Sequence, residues 1–227
     1  LHRDYNALNL CDITRNFADP VGSRPHVVFV PNDEDRRFAD ELLVRHSVGP
    51  DDPVVCLQIG ASEEKKRWPV DYFATLAAEI RGRYGAHVFL VGVESEAPLG
   101  DALLRRAPGS AVPLFGRTSL ARLAALLGRS RLLVTNDTGT MHMAAAVDCP
   151  VVLVSVGYVH FRETGPYGRG HCAVEGRRER LGRVSDPHRP AERHSIRPEH
   201  VLKAVELGWR SDPSEPVPQI VDSPSFS

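Results

Sequence analysis

Lysine is nearly absent from this chain of 227 residues: Lys65, Lys66 and Lys203 are the only ones, and arginine carries almost all the remaining positive charge. An excess of either sign is lacking too. With 28 basic and 29 acidic residues the net charge is -1, so no bulk field draws the chain to nucleic acid or an anionic membrane, and recognition must be local. No run approaches the roughly 20 apolar residues that span a bilayer, and no basic-then-apolar signal segment opens the chain, which predicts a cytoplasmic protein. Cysteine is sparse. Cys11, Cys56, Cys149 and Cys172 are scattered, and two of them fall beside apolar stretches, as reduced thiols do and a disulfide framework does not. There is no C-x-x-C, and His160, His171, Cys172, His188 and His194 match no zinc spacing, so no metal site is predicted. Neither a G-x-G-x-x-G after the first strand, nor a G-x-x-x-x-G-K-[ST] loop, nor a G-x-S-x-G elbow occurs, which argues against a nicotinamide dehydrogenase, a P-loop NTPase and an α/β-hydrolase.

What is present is an alternation. Apolar runs at 26–30, 54–59, 86–91 and 112–115 read as strands; 33–45, 70–83, 97–106 and 120–128 read as helices, the first capped by Asn32 or Asp33 and the last by Thr118 or Ser119. Residues 132–154 then read as strand, polar turn, small-residue helix and strand. Strands with apolar residues at successive positions, separated by helices of ten or so residues, predict a parallel, doubly wound, Rossmann-like α/β sheet. Beyond residue 156 the chain turns glycine-rich and aromatic, then arginine-rich over 177–194. A last helix begins at Pro198, and a Pro/Ser-rich tail over 210–227 is expected to be disordered. The first 24 residues, a helical pattern ending in a Pro/Gly/Ser linker, are expected to close an upstream domain missing from this chain; 25–209 form the domain itself.

In such sheets ligands sit beyond the carboxyl ends of the strands, and the polar loops of this chain lie there. Asp137, Thr138 and Gly139 open the helix after the fourth of the later strands. Its first-turn amides, with Thr138, would suit a phosphate, although Asp137 and Thr138 are equally helix caps and His142 equally a core residue. Lys66 follows an earlier strand, where its ammonium can neutralise a phosphate that gathers charge as a bond breaks; a solvated charged loop is the alternative. Glu94 and Glu96 follow another strand, placed either to accept from ribose hydroxyls or to cap a helix.

Gly60-Ala61-Ser62 with Lys66-Arg67-Trp68-Pro69, then Gly116-Arg117-Thr118-Ser119-Leu120, then Asn136-Asp137-Thr138-Gly139-Thr140-Met141-His142 with Ala144-Ala145, closely resemble glycosyltransferase family 9, the ADP-heptose:lipopolysaccharide heptosyltransferases. The resemblance implies the C-terminal, donor-binding half of a GT-B fold and an inverting transfer that needs no metal and no cofactor beyond the ADP-sugar substrate. It implies that Ser62 and Lys66 contact the diphosphate and sugar, with Lys66 stabilising the leaving phosphate. Glu96 would contact the ribose, Thr118 would lie by the adenine, and Asp137, Thr138, Gly139 and His142 would form the sugar and phosphate end. It further implies a glycolipid or glycan acceptor, a catalytic base in the missing N-terminal domain rather than in this chain, and at most peripheral contact with the inner face of the inner membrane. Ala61 departs from the pattern, since many members carry a hydroxyl there. A non-catalytic nucleotide-sugar-binding module is the alternative reading.

Overall fold

The computed structural model of the chain describes residues 27–156, 164–168, 170–175, 194–210 and 220–222. The expected terminal helix and linker over 1–24 lie outside these residues, as does nearly all of the arginine-rich segment. Seven parallel strands form one sheet: β1 (Val54–Gln58), β2 (His87–Val91), β3 (Val112–Pro113), β4 (Leu132–Asn136), β5 (Val151–Ser155), β6 (Cys172–Glu175) and β7 (Ile220–Asp222), in the order 3-2-1-4-5-6-7. The helices are α1 (Asp33–Arg45), α2 (Val70–Tyr84), α3 (Ala97–Arg106), α4 (Leu120–Gly128), α5 (Gly139–Ala146) and α6 (Pro198–Arg210).

The apolar runs have the physical cause inferred for them. Successive residues of each strand face opposite sides of the sheet, and here both sides are covered. Val55, Leu57, Val88, Leu90, Val134 and Val154 pack against Phe73, Leu76 and Ile80 of α2, Leu103 of α3 and Val205 of α6. Cys56, Phe89, Val91, Leu133 and Leu153 pack against Leu42 of α1, Leu126 of α4 and Met141 of α5. Local chemistry sets the helix ends. Asn32 Oδ1 accepts from Asp35 N at 2.9 Å, and Ser119 Oγ accepts from Arg122 N at 3.2 Å. Gly85, at φ +62, turns the chain out of α2 into the left-handed conformation that glycine adopts without strain.

Three expectations differ from the fold. Of the strand expected over 26–30, Val27–Val30 is described and is not a strand. Phe29 N donates to Ala146 O at 2.8 Å, but the segment borders a helix end instead of a sheet edge, so it forms no ladder and leaves Val30 70 % exposed. The third strand is shorter than expected because Pro113 has no N–H to donate, although Leu114 N still reaches Leu90 O at 2.8 Å. Within the tail expected to be disordered, Ile220–Asp222 pairs with Ala173–Glu175, covering an edge of β6 that would otherwise be open.

The chain runs outward from β1 through β2 to β3, crosses back to β4, and runs outward again through β5. Because crossovers in parallel sheets keep one hand, this reversal puts α2 and α3 on one face and α4 and α5 on the other. The connections after β1 and β4 therefore part at neighbouring strand ends, where Gln58 lies beside Thr135, and a crevice opens there.

Candidate functional site

Two loops meet at that crevice, and Asn136 joins them. This fully buried residue ends β4; its Oδ1 accepts from Trp68 N at 2.9 Å, while its Nδ2 donates to Ile59 O and Gly60 O, both at 3.0 Å. Both ends of the loop after β1 are thus pinned to the end of β4. Trp68 is itself fully buried, with Nε1 donating to Ile196 O at 2.8 Å, and its ring meets Phe73 edge-on at 4.8 Å. Between the pinned ends, Arg67 donates twice to Ala61 O, at 3.2 and 3.0 Å, folding the loop back on itself. Ala61 is buried under this clamp and serves the loop through its carbonyl.

The clamp leaves Lys66 on a short 3-10 turn, Glu64–Lys66, with its side chain 21 % exposed and its ammonium 3.6 Å from Glu63. Glu63 also pairs with Lys65 at 2.9 Å, and that hydrogen bond holds its carboxyl below its ordinary value. Across the crevice Asp137 is half-buried. Burial raises its pKa, and the positive charges of Lys66 and then His142 oppose the rise. These three residues, separated by 76 positions at most, therefore share one electrostatic site. His142 is exposed on α5 and is not a core residue.

Thr138 occupies the N-cap position of α5, but its side chain does not cap the helix, contrary to the capping role expected for it. Its hydroxyl is drawn inward, 3.1 Å from Thr135 Oγ1 and 3.4 Å from Gln58 Oε1. Asp137 supplies no cap either. Among the described residues no acceptor meets the Gly139 or Thr140 amides, and a Cβ built on Gly139 would meet nothing within 4 Å, so the start of α5 faces open space. Partial positive charge at a helix start favours an anion there.

Glu96 closes the other side. Its Oε2 accepts from Val93 N at 3.2 Å and from Gln58 Nε2 at 3.4 Å, so the carboxylate lies over the ends of β1 and β2. Gly116 N donates to Gly92 O at 3.0 Å, which brings the loop after β3 alongside. Thr118 follows, half-exposed, and Ser62 is exposed on its loop; among the described residues neither hydrogen-bonds to Lys66 or Asp137. Sequence reasoning gave no role to Gln58 or Thr135, and named Asn136 only within a motif. Their signal was polarity at the last positions of strands that are otherwise apolar.

His171, weighed above as a metal ligand, uses Nδ1 to accept from Val151 N at 3.2 Å, and burial lowers its pKa to about 4. His160 and His188 lie outside the described residues. Among the described residues no group of three His, Cys, Asp or Glu could hold a metal ion, Cys56, Cys149 and Cys172 are free, and no helix is long and apolar enough to cross a membrane. A hollow of about 160 Å³ between α2 and α6, lined by residues including Thr75, Arg83 and Glu199, contains none of the crevice residues.

The family model described as glycosyltransferase family 9 (heptosyltransferase) matches residues 14–187. The chain is 36% identical over 91 residues to lipooligosaccharide heptosyltransferase 2 of Haemophilus influenzae, a match covering 38% of this chain and 26% of that protein. Its fold is similar to the solved glycosyl transferase family 9 structure from Veillonella parvula, with a TM-score of 0.78 at 24% identity over 92% of this chain and 62% of that one. It is also similar to an E. coli heptosyltransferase solved with ADP, with a TM-score of 0.60 at 19% identity over 85% of this chain and 54% of the other. The chain thus spans under two thirds of these relatives.

Proposed function

The chain belongs to glycosyltransferase family 9, and from that premise we propose that it is the donor-binding half of an inverting transferase that moves a heptose or related sugar from an ADP-sugar to a lipopolysaccharide or surface-glycan acceptor. One observation carries this reading. Two distant loops, one bearing Lys66 and the other Asp137 and the open start of α5, are clasped together by Asn136 at the point where the sheet reverses direction, near enough for the charges of Lys66 and His142 to be felt at Asp137. In an inverting transfer the acceptor hydroxyl attacks the anomeric carbon as the bond from that carbon to the diphosphate oxygen breaks. Negative charge then builds on the departing diphosphate, and Lys66 with the Gly139 and Thr140 amides would stabilise it without a metal ion. Glu63, already paired with Lys66 at 3.6 Å, would yield that ammonium to the phosphate.

Asp137 would repel phosphate, so in this reading it accepts from sugar hydroxyls, with His142 beside it. Ser62 contributes to the diphosphate and sugar, Glu96 takes the ribose, and Thr118 lies by the adenine. An E. coli heptosyltransferase of this fold was solved with ADP, which makes ADP the natural probe. The base that deprotonates the acceptor is assigned to a partner domain across the crevice, the acceptor side and any contact with the inner face of the membrane are assigned to that domain too, and the setting is the cytoplasm.

The test is a calorimetric titration of the full chain with ADP. Binding is expected, with Lys66→Ala weakening it about tenfold or more, the scale of losing a hydrogen bond to a charged group, and Asp137→Ala weakening it for an ADP-sugar more than for ADP. Absence of ADP binding, or binding indifferent to Lys66→Ala, sinks the reading.

A further inference from the structure

We propose that Gln58 is a positioning residue that ties the ribose end of the site to its phosphate end; this rests on the donor-binding reading above. Gln58 is the last residue of β1 and only 5 % exposed, in a strand whose other members are Val54, Val55, Cys56 and Leu57. An amide at such a place is costly unless both its ends are used. Both are. Nε2 donates to Glu96 Oε2 at 3.4 Å, and Oε1 accepts from Thr138 Oγ1 at 3.4 Å; Thr135 Oγ1 lies equally near but gives its single proton to Asn136 O. A carboxylate can only accept, so the amide nitrogen must face Glu96 and the oxygen must face the hydroxyls.

Each end of this bridge has a consequence. At Glu96, Oε2 is taken by Gln58 and by Val93 N, and the carboxylate is wedged so close to the backbone that a Cβ on Gly60 would lie 1.8 Å from Oε1. Oε1 is then the oxygen left to accept a ribose hydroxyl. At the other end, Thr135 Oγ1 donates to Asn136 O at 2.7 Å, and the Thr138 hydroxyl is held at 3.1 Å from Thr135 Oγ1, beside the first turn of α5. One buried amide therefore sets both the aim of the carboxylate and the rotamer of Thr138. Among these residues Gln58 alone touches both ends of the crevice, and it does so from beneath, without reaching the ligand.

The experiment titrates the full chain with ADP, 2′-deoxy-ADP and 3′-deoxy-ADP, comparing wild type with Gln58→Met, which keeps length and volume without donor or acceptor. Gln58→Asn, an amide too short to reach both partners, and Glu96→Gln, at a half-exposed position, are the second and third variants. The wild type is expected to bind ADP about tenfold more tightly than at least one deoxy analogue. In Gln58→Met, ADP affinity should fall about tenfold and that preference should shrink below about threefold, because Glu96 is no longer aimed; Gln58→Asn and Glu96→Gln should narrow the preference in the same way. A merely structural role weakens all three nucleotides by one common factor, and a folded Gln58 variant with the wild-type preference overturns the inference. Should neither Gln58 variant fold, a wild-type preference in Glu96→Gln overturns it. A wild type that binds ADP without preferring a ribose hydroxyl overturns it while leaving the donor-binding reading intact; a wild type that does not bind ADP overturns both.

Discussion

Asn136 shows how much of this site depends on single side chains that do no chemistry. Its carboxamide satisfies one N–H and two carbonyls that are buried around it, and a buried polar group left without a partner costs about 1–3 kcal/mol. Asn136→Ala is therefore expected to lower stability by about 3 kcal/mol or more, read as a shift of the urea midpoint with little change in slope; a loss under about 1 kcal/mol would mean that water replaces all three bonds. Gly60→Ala tests the neighbouring carboxylate. The new Cβ would lie 1.8 Å from Glu96 Oε1, the far end of a flexible side chain that can swing away. Stability should fall by about 1–3 kcal/mol, because the displaced carboxylate leaves the buried Gln58 Nε2 unpaired, and ADP affinity should drop several-fold by calorimetry because Glu96 has been displaced. Gly92→Ala is the harsher neighbour, since its φ of +156 adds backbone strain to contacts of 2.3 Å with Glu96 and 3.1 Å with Phe115.

Elements lock to one another through a few such bonds. Val151 opens β5, and its N–H donates to the Nδ1 of His171, just before β6. Burial lowers the pKa of His171 from the ordinary 6.5 to about 4, against the opposing pull of the Tyr167 backbone and Asp148. The unfolded chain takes up this proton near pH 6.5 and the folded chain near 4, so the neutral ring's contribution is complete above about 6.5. It is lost as pH falls toward 4, by at most about 3 kcal/mol. His171→Gln keeps an acceptor and removes the titration. Between pH 7 and pH 4.5 the wild type should lose stability relative to this variant, measured as diverging urea midpoints; parallel pH profiles would show that the ring takes up its proton at the same pH in the fold as in the unfolded chain. α4 is held more simply, by the Ser119 cap, and Ser119→Ala should cost about 1 kcal/mol in thermal unfolding.

At the scale of the whole molecule, a ligand bound only by the folded chain raises its unfolding midpoint by mass action. ADP at a hundred times its dissociation constant should add about 2.7 kcal/mol, visible in a thermal scan, and at the same concentration only about 1.4 kcal/mol in Lys66→Ala, whose binding is weakened about tenfold. In the proposed reading the acceptor and its base are positioned by an opposed domain, so the chain by itself is expected to transfer no sugar from an ADP-heptose; steady turnover by this chain alone would refute that division of labour. Much of the architecture was legible beforehand. Uninterrupted apolar runs such as Val54–Gln58 and Val151–Ser155 dictate strands covered on both faces, caps at Asn32 and Ser119 mark helix starts, and the only adjacent lysines draw the eye to the loop after β1. These features are local, and local chemistry is written in consecutive residues. What the sequence could not express is adjacency across distance. Residues 27–30 look like a strand until the sheet offers them no edge, and Thr138 looks like a cap until Gln58 and Thr135 draw its hydroxyl inward. The sequence by itself determined the parallel α/β alternation and the loops that bear Lys66 and Asp137. Only the tertiary structure decided that β1 and β4 are neighbours, and from that adjacency come the Asn136 clasp, the Gln58 bridge and the shared field of Lys66, Asp137 and His142.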